Sequence, residues 1–133
     1  MSDVQEPSDN EGNSINEENS MNEVTSTNEV TWMDLGLNDI MVKTAMDLNW
    51  VKPSLIQQKT IPPAIEGKDI IGLAETGPGK TASFALPVVQ SLLENPQRYF
   101  ALVLNPTREL ALQISEQFTA VGAIIGLQCA IVV

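Results

Sequence analysis

The sequence Ala74-Glu75-Thr76-Gly77-Pro78-Gly79-Lys80-Thr81 follows the apolar run Ile70-Ile71-Gly72-Leu73 and precedes Ala82-Ser83-Phe84-Ala85-Leu86. This order predicts strand, glycine loop and helix. Apart from an Ala where the first Gly is usual, the eight residues fit the phosphate-loop pattern G-x-x-x-x-G-K-S/T. Gly77 and Gly79 let the backbone curl so that successive N–H groups point inward at phosphate oxygens. A helix starting near Lys80 adds the positive end of its dipole. Lys80 would reach the β- and γ-phosphates of a nucleotide as a point charge, and the Thr81 hydroxyl would ligate Mg²⁺. The bland alternative is a Gly-rich turn carrying an incidental lysine, and the strand before it and the helix after it weigh against that.

Downstream, Lys80 to Leu93 reads as a heavily apolar helix, with Pro87 expected to bend it or to remove one hydrogen bond. Tyr99-Phe100-Ala101-Leu102-Val103-Leu104 reads as a second continuous apolar strand. Thr107 can cap a helix running to about Val121, stopped by Gly122. Gln128 to Val133 reads as a third strand. Apolar strands recurring about every thirty residues with helices between them indicate an α/β chain, a parallel βαβαβ portion that looks unfinished.

Upstream, Asn38 is a helix cap before Asp39 to Met46, whose apolar residues recur at helical spacing, and Asn49 should end that helix. Pro53-Ser54-Leu55-Ile56-Gln57 starts another, expected to stop at Pro62 and Pro63. Ser54-x-x-Gln57 is a capping box, the reading that local chemistry favours for Gln57. Its amide also carries the donor and acceptor needed to pair with an adenine edge. Trp32 could stack on a base, although ordinary core packing explains Trp32 and Trp50 equally well.

The chain is 133 residues long with a formal net charge of −10, unevenly placed. Residues 1–31 hold eight carboxylates and no Lys or Arg, which leaves −2 for the remainder. A low overall pI therefore does not argue against a nucleic-acid partner for the folded part. The Asn-, Glu- and Ser-rich segment 1–31 holds too little apolar surface to offset its ordering entropy and is expected to be a disordered acidic tail. A solvated leader is the simpler reading of it, and a tail for protein partners is the alternative. The single Cys129 excludes an internal disulfide framework, and the absence of His excludes His-dependent catalytic or zinc sites. With no signal-peptide pattern and no bilayer-length apolar run, a soluble intracellular protein with no membrane role is expected.

Three stretches, Ser54-Leu55-Ile56-Gln57, the phosphate loop and Pro106-Thr107-Arg108-Glu109-Leu110-Ala111, resemble the Q motif, motif I and motif Ia of DEAD-box RNA helicases, in that family's order and at about its spacing. The resemblance covers residues 32–133. It implies the N-terminal portion of a RecA-like P-loop domain, an ATP-dependent RNA helicase and ATP with Mg²⁺ as cofactors. Gly72 to Gly77, Phe84 to Pro87 and Gln113 to Phe118 look closest to the nucleolar branch that processes ribosomal RNA, which implies a nuclear or nucleolar location. It further implies that Gln57 recognises adenine, that Trp32 packs on the base where the family usually has Phe, and that Ala74, Glu75, Thr76, Gly77, Pro78 and Gly79 wrap the phosphates. Lys80 is the implied catalytic residue and Thr81 the Mg²⁺ ligand, while Pro106, Thr107 and Arg108 contact RNA backbone, a helix start there suiting a phosphate. Judged without the resemblance, Arg108 is more simply a solvated side chain at a helix start.

Several positions depart from that family's pattern. Pro78 stands where Ser is normal, removes an N–H from the phosphate cradle and restricts Gly77, so weaker nucleotide affinity is expected. Asn105 stands for Thr and Asn49 for a common Gly. No Asp-Glu-Ala-Asp occurs, nor Ser-Ala-Thr, nor a second RecA-like domain with arginine fingers. The polypeptide alone is therefore expected neither to hydrolyse ATP at a useful rate nor to unwind RNA. Its strands would be left with unpaired edges, as an aggregation-prone or partly molten fragment. The alternative to a helicase portion is a naturally truncated product that only binds nucleotide, RNA or a protein. An unrelated phosphate-loop ATPase would require the other two motifs to be coincidental.

Overall fold

Three helices start on a short polar side chain that takes up a backbone N–H with no partner inside the helix. Asn38 Oδ1 accepts from the Met41 N–H at 2.9 Å and opens α1 (Asp39–Asp47). Ser54 opens α2 (Leu55–Ile65). Thr107 Oγ1 accepts from the Leu110 N–H at 3.2 Å and opens α4 (Arg108–Val121). The remaining α-helix of the described residues, α3 (Lys80–Glu94), follows Gly79 instead, whose φ of +117° favours glycine. These elements come from a computed structural model that describes residues 28–74 and 79–133. Most of the expected tail, residues 1–27, and Glu75, Thr76, Gly77 and Pro78 lie outside the described residues.

The caps and boundaries of α1 and α4 agree with their sequence signals. Asn49 ends the first segment in the left-handed region (φ +62°), a conformation Asn tolerates better than most residues. It thus fills a position where the related family commonly has Gly. The expected stop of α2 at Pro62 and Pro63 is not observed, for the helix runs through both to Ile65. Proline lacks a donor but keeps helical φ and its carbonyl. The Glu66 and Lys68 N–H groups use those carbonyls at 3.3 and 3.1 Å, and Gly67 (φ +80°) then breaks the chain away. Pro87 is likewise buried inside α3, which continues to Glu94.

One element had no counterpart in the sequence reading. Trp32–Leu35 form a 3-10 turn, closed by a capping box in which the Asp34 carboxylate accepts from the Thr31 N–H at 2.7 Å and the Thr31 hydroxyl at 3.0 Å. Gly36 (φ +86°) terminates it.

Helix α3 is the central element, packed between α2 and α4, with α1 against α4 and the 3-10 turn against both α1 and α2. Its Ala82, Ala85, Leu86 and Val89 meet Met41, Ile61, Ile114, Phe118 and Val121, while Trp32, Leu35 and Leu37 extend the core along the N-terminal arm. The small alanines let the helices approach closely, and the tilted Phe84–Phe118 pair (5.8 Å between ring centroids) fixes α3 against α4.

The three expected strands do not form hydrogen-bonded ladders among the described residues. The runs 70–74, 99–104 and 127–133 lack regular secondary structure. Gly72 lies over Ile56 and Thr60 of α2, which seats the first run on a helix. Exposure along these runs is uneven: Ile71 and Leu73 are 90% and 88% exposed against 39% for Ile70, and Leu102 and Leu104 are 84% exposed against 38% for Val103. Apolar runs of this kind are written for burial on both faces of a sheet. Here only Gly72 of the first run lies against a helix, residues 99–104 and 128–133 are exposed throughout, and no neighbouring strand among the described residues supplies hydrogen bonds, so large aliphatic side chains remain bare.

Candidate functional site

The N-terminal end of α2 and the start of α3 converge through one side chain. Gln57 is buried, and its Oε1 accepts from the Ser54 N–H at 2.7 Å, completing the capping box. Its Nε2 donates to the Gly79 carbonyl at 3.1 Å. The amide therefore closes one helix and ties it to the residue immediately before Lys80. The fit is close, since a Cβ added to Gly79 would stand 2.9 Å from Gln57 Nε2 and 3.3 Å from Ser54 Oγ.

Beside this junction lies a cavity of about 300 Å³ lined by Trp32, Trp50, Gln57, Gly79, Ala82 and Gln117 together with the Lys52-Pro53-Ser54 segment. Trp32 is almost wholly buried, yet it walls the cavity. Its Nε1–H donates to the Trp50 carbonyl at 2.7 Å, and the two rings sit 6.4 Å apart at a 39° tilt. Core packing and cavity wall are thus the same role for Trp32. Lys52 is the cation of the lining, 4.0 Å from Glu29 with both side chains largely exposed, a pairing that solvent screens strongly.

Of the residues singled out in the sequence, Trp32, Gln57 and Gly79 meet at this cavity. Lys80 and Thr81 form the first turn of α3 and are half-buried beside it without lining it, and Ala74 is half-buried at the end of the run entering the loop. Pro106, Thr107 and Arg108 are exposed at the start of α4, away from the cavity lining, and Arg108 makes no ion pair among the described residues. Glu75 to Pro78 lie outside the described residues. No group of three or more His, Cys, Asp or Glu among the described residues could hold a metal. A Mg²⁺ ion there would rest on the Thr81 hydroxyl and the phosphate oxygens of a nucleotide.

Trp50, Lys52 and Pro53 join the site from the segment just ahead of the capping box, a position that sequence adjacency to Ser54 could have flagged. Gln117 arrives only because α4 packs along α3, and no local signal marks it.

The glycine-rich sequence that runs into a helix at Lys80-Thr81 has the pattern of phosphate-loop proteins. The model of the DEAD/DEAH box helicase family matches residues 54–133, more than half of the chain, and the chain belongs to that family. It is 62% identical over 103 residues to ATP-dependent RNA helicase DDX47 of Drosophila melanogaster, covering 77% of this chain and 20% of that protein. It is 57% identical over 103 residues to ATP-dependent rRNA helicase RRP3 of Gibberella zeae, covering 77% of this chain and 21% of that protein. The chain thus spans about a fifth of the length of the curated relatives it matches. Among solved structures it is similar to the RNA helicase Prp28 from Chaetomium thermophilum bound to ADP (TM-score 0.71, 33% identity, 77% of this chain and 26% of that one). It is also similar to a DEAD box protein from Methanococcus jannaschii (TM-score 0.63, 35% identity, 69% of this chain and 25% of that one). No helix among the described residues is long and apolar enough to cross a membrane.

Proposed function

We propose that residues 32–133 are the ATP-binding and RNA-backbone-binding N-terminal portion of a RecA-like helicase domain that acts on ribosomal RNA in the nucleus or nucleolus. The observation that carries this reading is the cavity between Trp32, Trp50 and Gln57 at the end of α3 where Lys80 begins the helix. Its aromatic and amide lining suits a purine base. The cationic start of α3 suits the phosphates, with Lys80 as the point charge and Thr81 as the hydroxyl for Mg²⁺. Pro106, Thr107 and Arg108, exposed at a second helix start, suit a sugar–phosphate backbone. Relatives named as an ATP-dependent rRNA helicase and a helicase bound to ADP support the substrate side.

The 70–73, 99–104 and 128–133 runs are read as strands of a parallel sheet whose ladder requires neighbours beyond those three. The 133 residues hold no Asp-Glu-Ala-Asp. The carboxylates that would orient an attacking water are not among them, so the activity proposed for residues 32–133 is nucleotide and RNA binding.

The test uses the intrinsic fluorescence of Trp32 and Trp50, the two tryptophans of the chain, both of which line the cavity. Titration with Mg²⁺-ATP is expected to give a saturable change that Lys80→Ala abolishes and that GTP reproduces only weakly. A signal insensitive to Lys80→Ala, or none at all, contradicts the reading.

A further inference from the structure

Gln90 lies deep in α3, buried at 5% exposure, in a helix whose other inward positions are mostly aliphatic or small. Its Oε1 accepts from the Asn38 backbone N–H at 2.8 Å, and its Nε2 donates to the Gly36 carbonyl at 3.3 Å. One amide therefore satisfies two backbone groups that flank Leu37 and that have no backbone partner among the described residues. Gly36 ends the 3-10 turn whose first residue is Trp32. The other polar ties of this arm run elsewhere, Trp32 Nε1 to the Trp50 carbonyl and Glu29 to Lys52. Gln90 is thus the polar link, among the described residues, between the arm and α3.

We propose that Gln90 is the positioning residue of the nucleotide site. It clamps the arm bearing Trp32 to the helix that begins at Lys80, so that the aromatic wall and the phosphate-binding end are held as one body. This rests on the reading of the cavity as a nucleotide site. A buried amide serving packing alone would contribute to stability without separating base binding from phosphate binding. A clamp on the arm does separate them, because Trp32 moves when it is lost while Lys80, in the first turn of α3, stays in place.

The experiment uses the full 133-residue chain carrying Trp50→Phe, which leaves Trp32 as sole reporter, with and without Gln90→Leu and Gln90→Glu. Affinities for Mg²⁺-ATP and for inorganic tripolyphosphate are measured alongside Trp32 emission and acrylamide quenching. With the far-UV circular dichroism unchanged, Gln90→Leu is expected to red-shift Trp32 and expose it to quencher. ATP should weaken about tenfold, the scale of one buried hydrogen bond, with tripolyphosphate unaffected. Gln90→Glu keeps the acceptor for the Asn38 N–H but sets an anion against the Gly36 carbonyl, so it should fall between the two; it carries the test if Gln90→Leu fails to fold. Trp32 remaining blue-shifted and protected in a folded variant, or ATP and tripolyphosphate weakening in parallel, overturns the proposal. If the unsubstituted chain, with both tryptophans in place, binds neither ligand, the nucleotide reading falls, and the Trp32 emission of the Trp50→Phe chains still decides whether Gln90 holds the arm.

Discussion

Gly79→Ala isolates the junction on which the site is built. Two costs add at this position. With φ at +117°, an L side chain occupies a sparsely populated conformation, roughly 1–3 kcal/mol of strain. The new Cβ would also stand 2.9 Å from Gln57 Nε2, so the amide must swing away and give up its bond to the Gly79 carbonyl, about 1 kcal/mol. Together the substitution should destabilise the chain by roughly 2–4 kcal/mol. Urea denaturation followed by tryptophan fluorescence measures this, and a double-mutant cycle with Gln57→Ala separates the terms. Without the Gln57 amide the collision partner and the hydrogen bond are both gone, so Gly79→Ala should then cost about 1 kcal/mol less than in the parent. A cost below about 0.5 kcal/mol, or an identical cost in both backgrounds, refutes the close packing of Gln57 on Gly79.

Other outcomes follow from single residues. Pro78→Ser returns an N–H to the phosphate loop and frees Gly77. Such bonds to charged groups contribute about 1.5–3 kcal/mol, so ATP should bind about tenfold tighter or better by calorimetry, and an unchanged dissociation constant removes the argument. Thr107→Ala deletes the acceptor for the Leu110 N–H and should cost about 1 kcal/mol in denaturant unfolding, restored by Thr107→Ser. The Thr31 N–H and hydroxyl hold the Asp34 carboxyl below its ordinary value of 3.8. A group depressed in the folded state stabilises above its unfolded value and loses that contribution as pH falls through the folded one. Trp32 emission should therefore shift red only below about pH 4, and Asp34→Asn should remove that transition; a midpoint near neutrality would contradict the assignment.

The parts of this fold written in local chemistry were legible from sequence. Asn38, Ser54 and Thr107 cap helices because each places an oxygen within reach of an N–H three residues on, a matter of spacing alone. Pro62 and Pro63 misled because proline opposes a helix only through its missing donor and its ring, and α2 had one more turn of carbonyls to use. The turn at Trp32–Leu35 carried its own signal in Thr31-x-x-Asp34, with Asp in place of the usual Glu or Gln. The strands were written as apolar runs, but a strand exists only by pairing, and pairing is a long-range property that residues 70–74 cannot encode alone.

The site divides in the same way. Gln57, Lys80 and Thr81 announce themselves by motif. The cavity that brings Trp32, Trp50 and Gln117 to Gln57 depends on how α3 sits against α2, α4 and the arm. The double role of Gln57 illustrates the limit: its spacing from Ser54 identifies the cap, and only the packing of α2 on α3 shows the amide's other end on Gly79.

Amide chemical-shift mapping of the ¹⁵N-labelled chain during titration with Mg²⁺-ADP tests the central claim most directly. Perturbations concentrated at the Trp32 and Trp50 indole N–H groups, residues 52–57 and the first turn of α3 from Gly79 to Ala82 are predicted. Shifts confined to the start of α4 around Thr107 and Arg108, or absent at saturating nucleotide, would contradict the placement of the nucleotide site between Gln57 and Lys80.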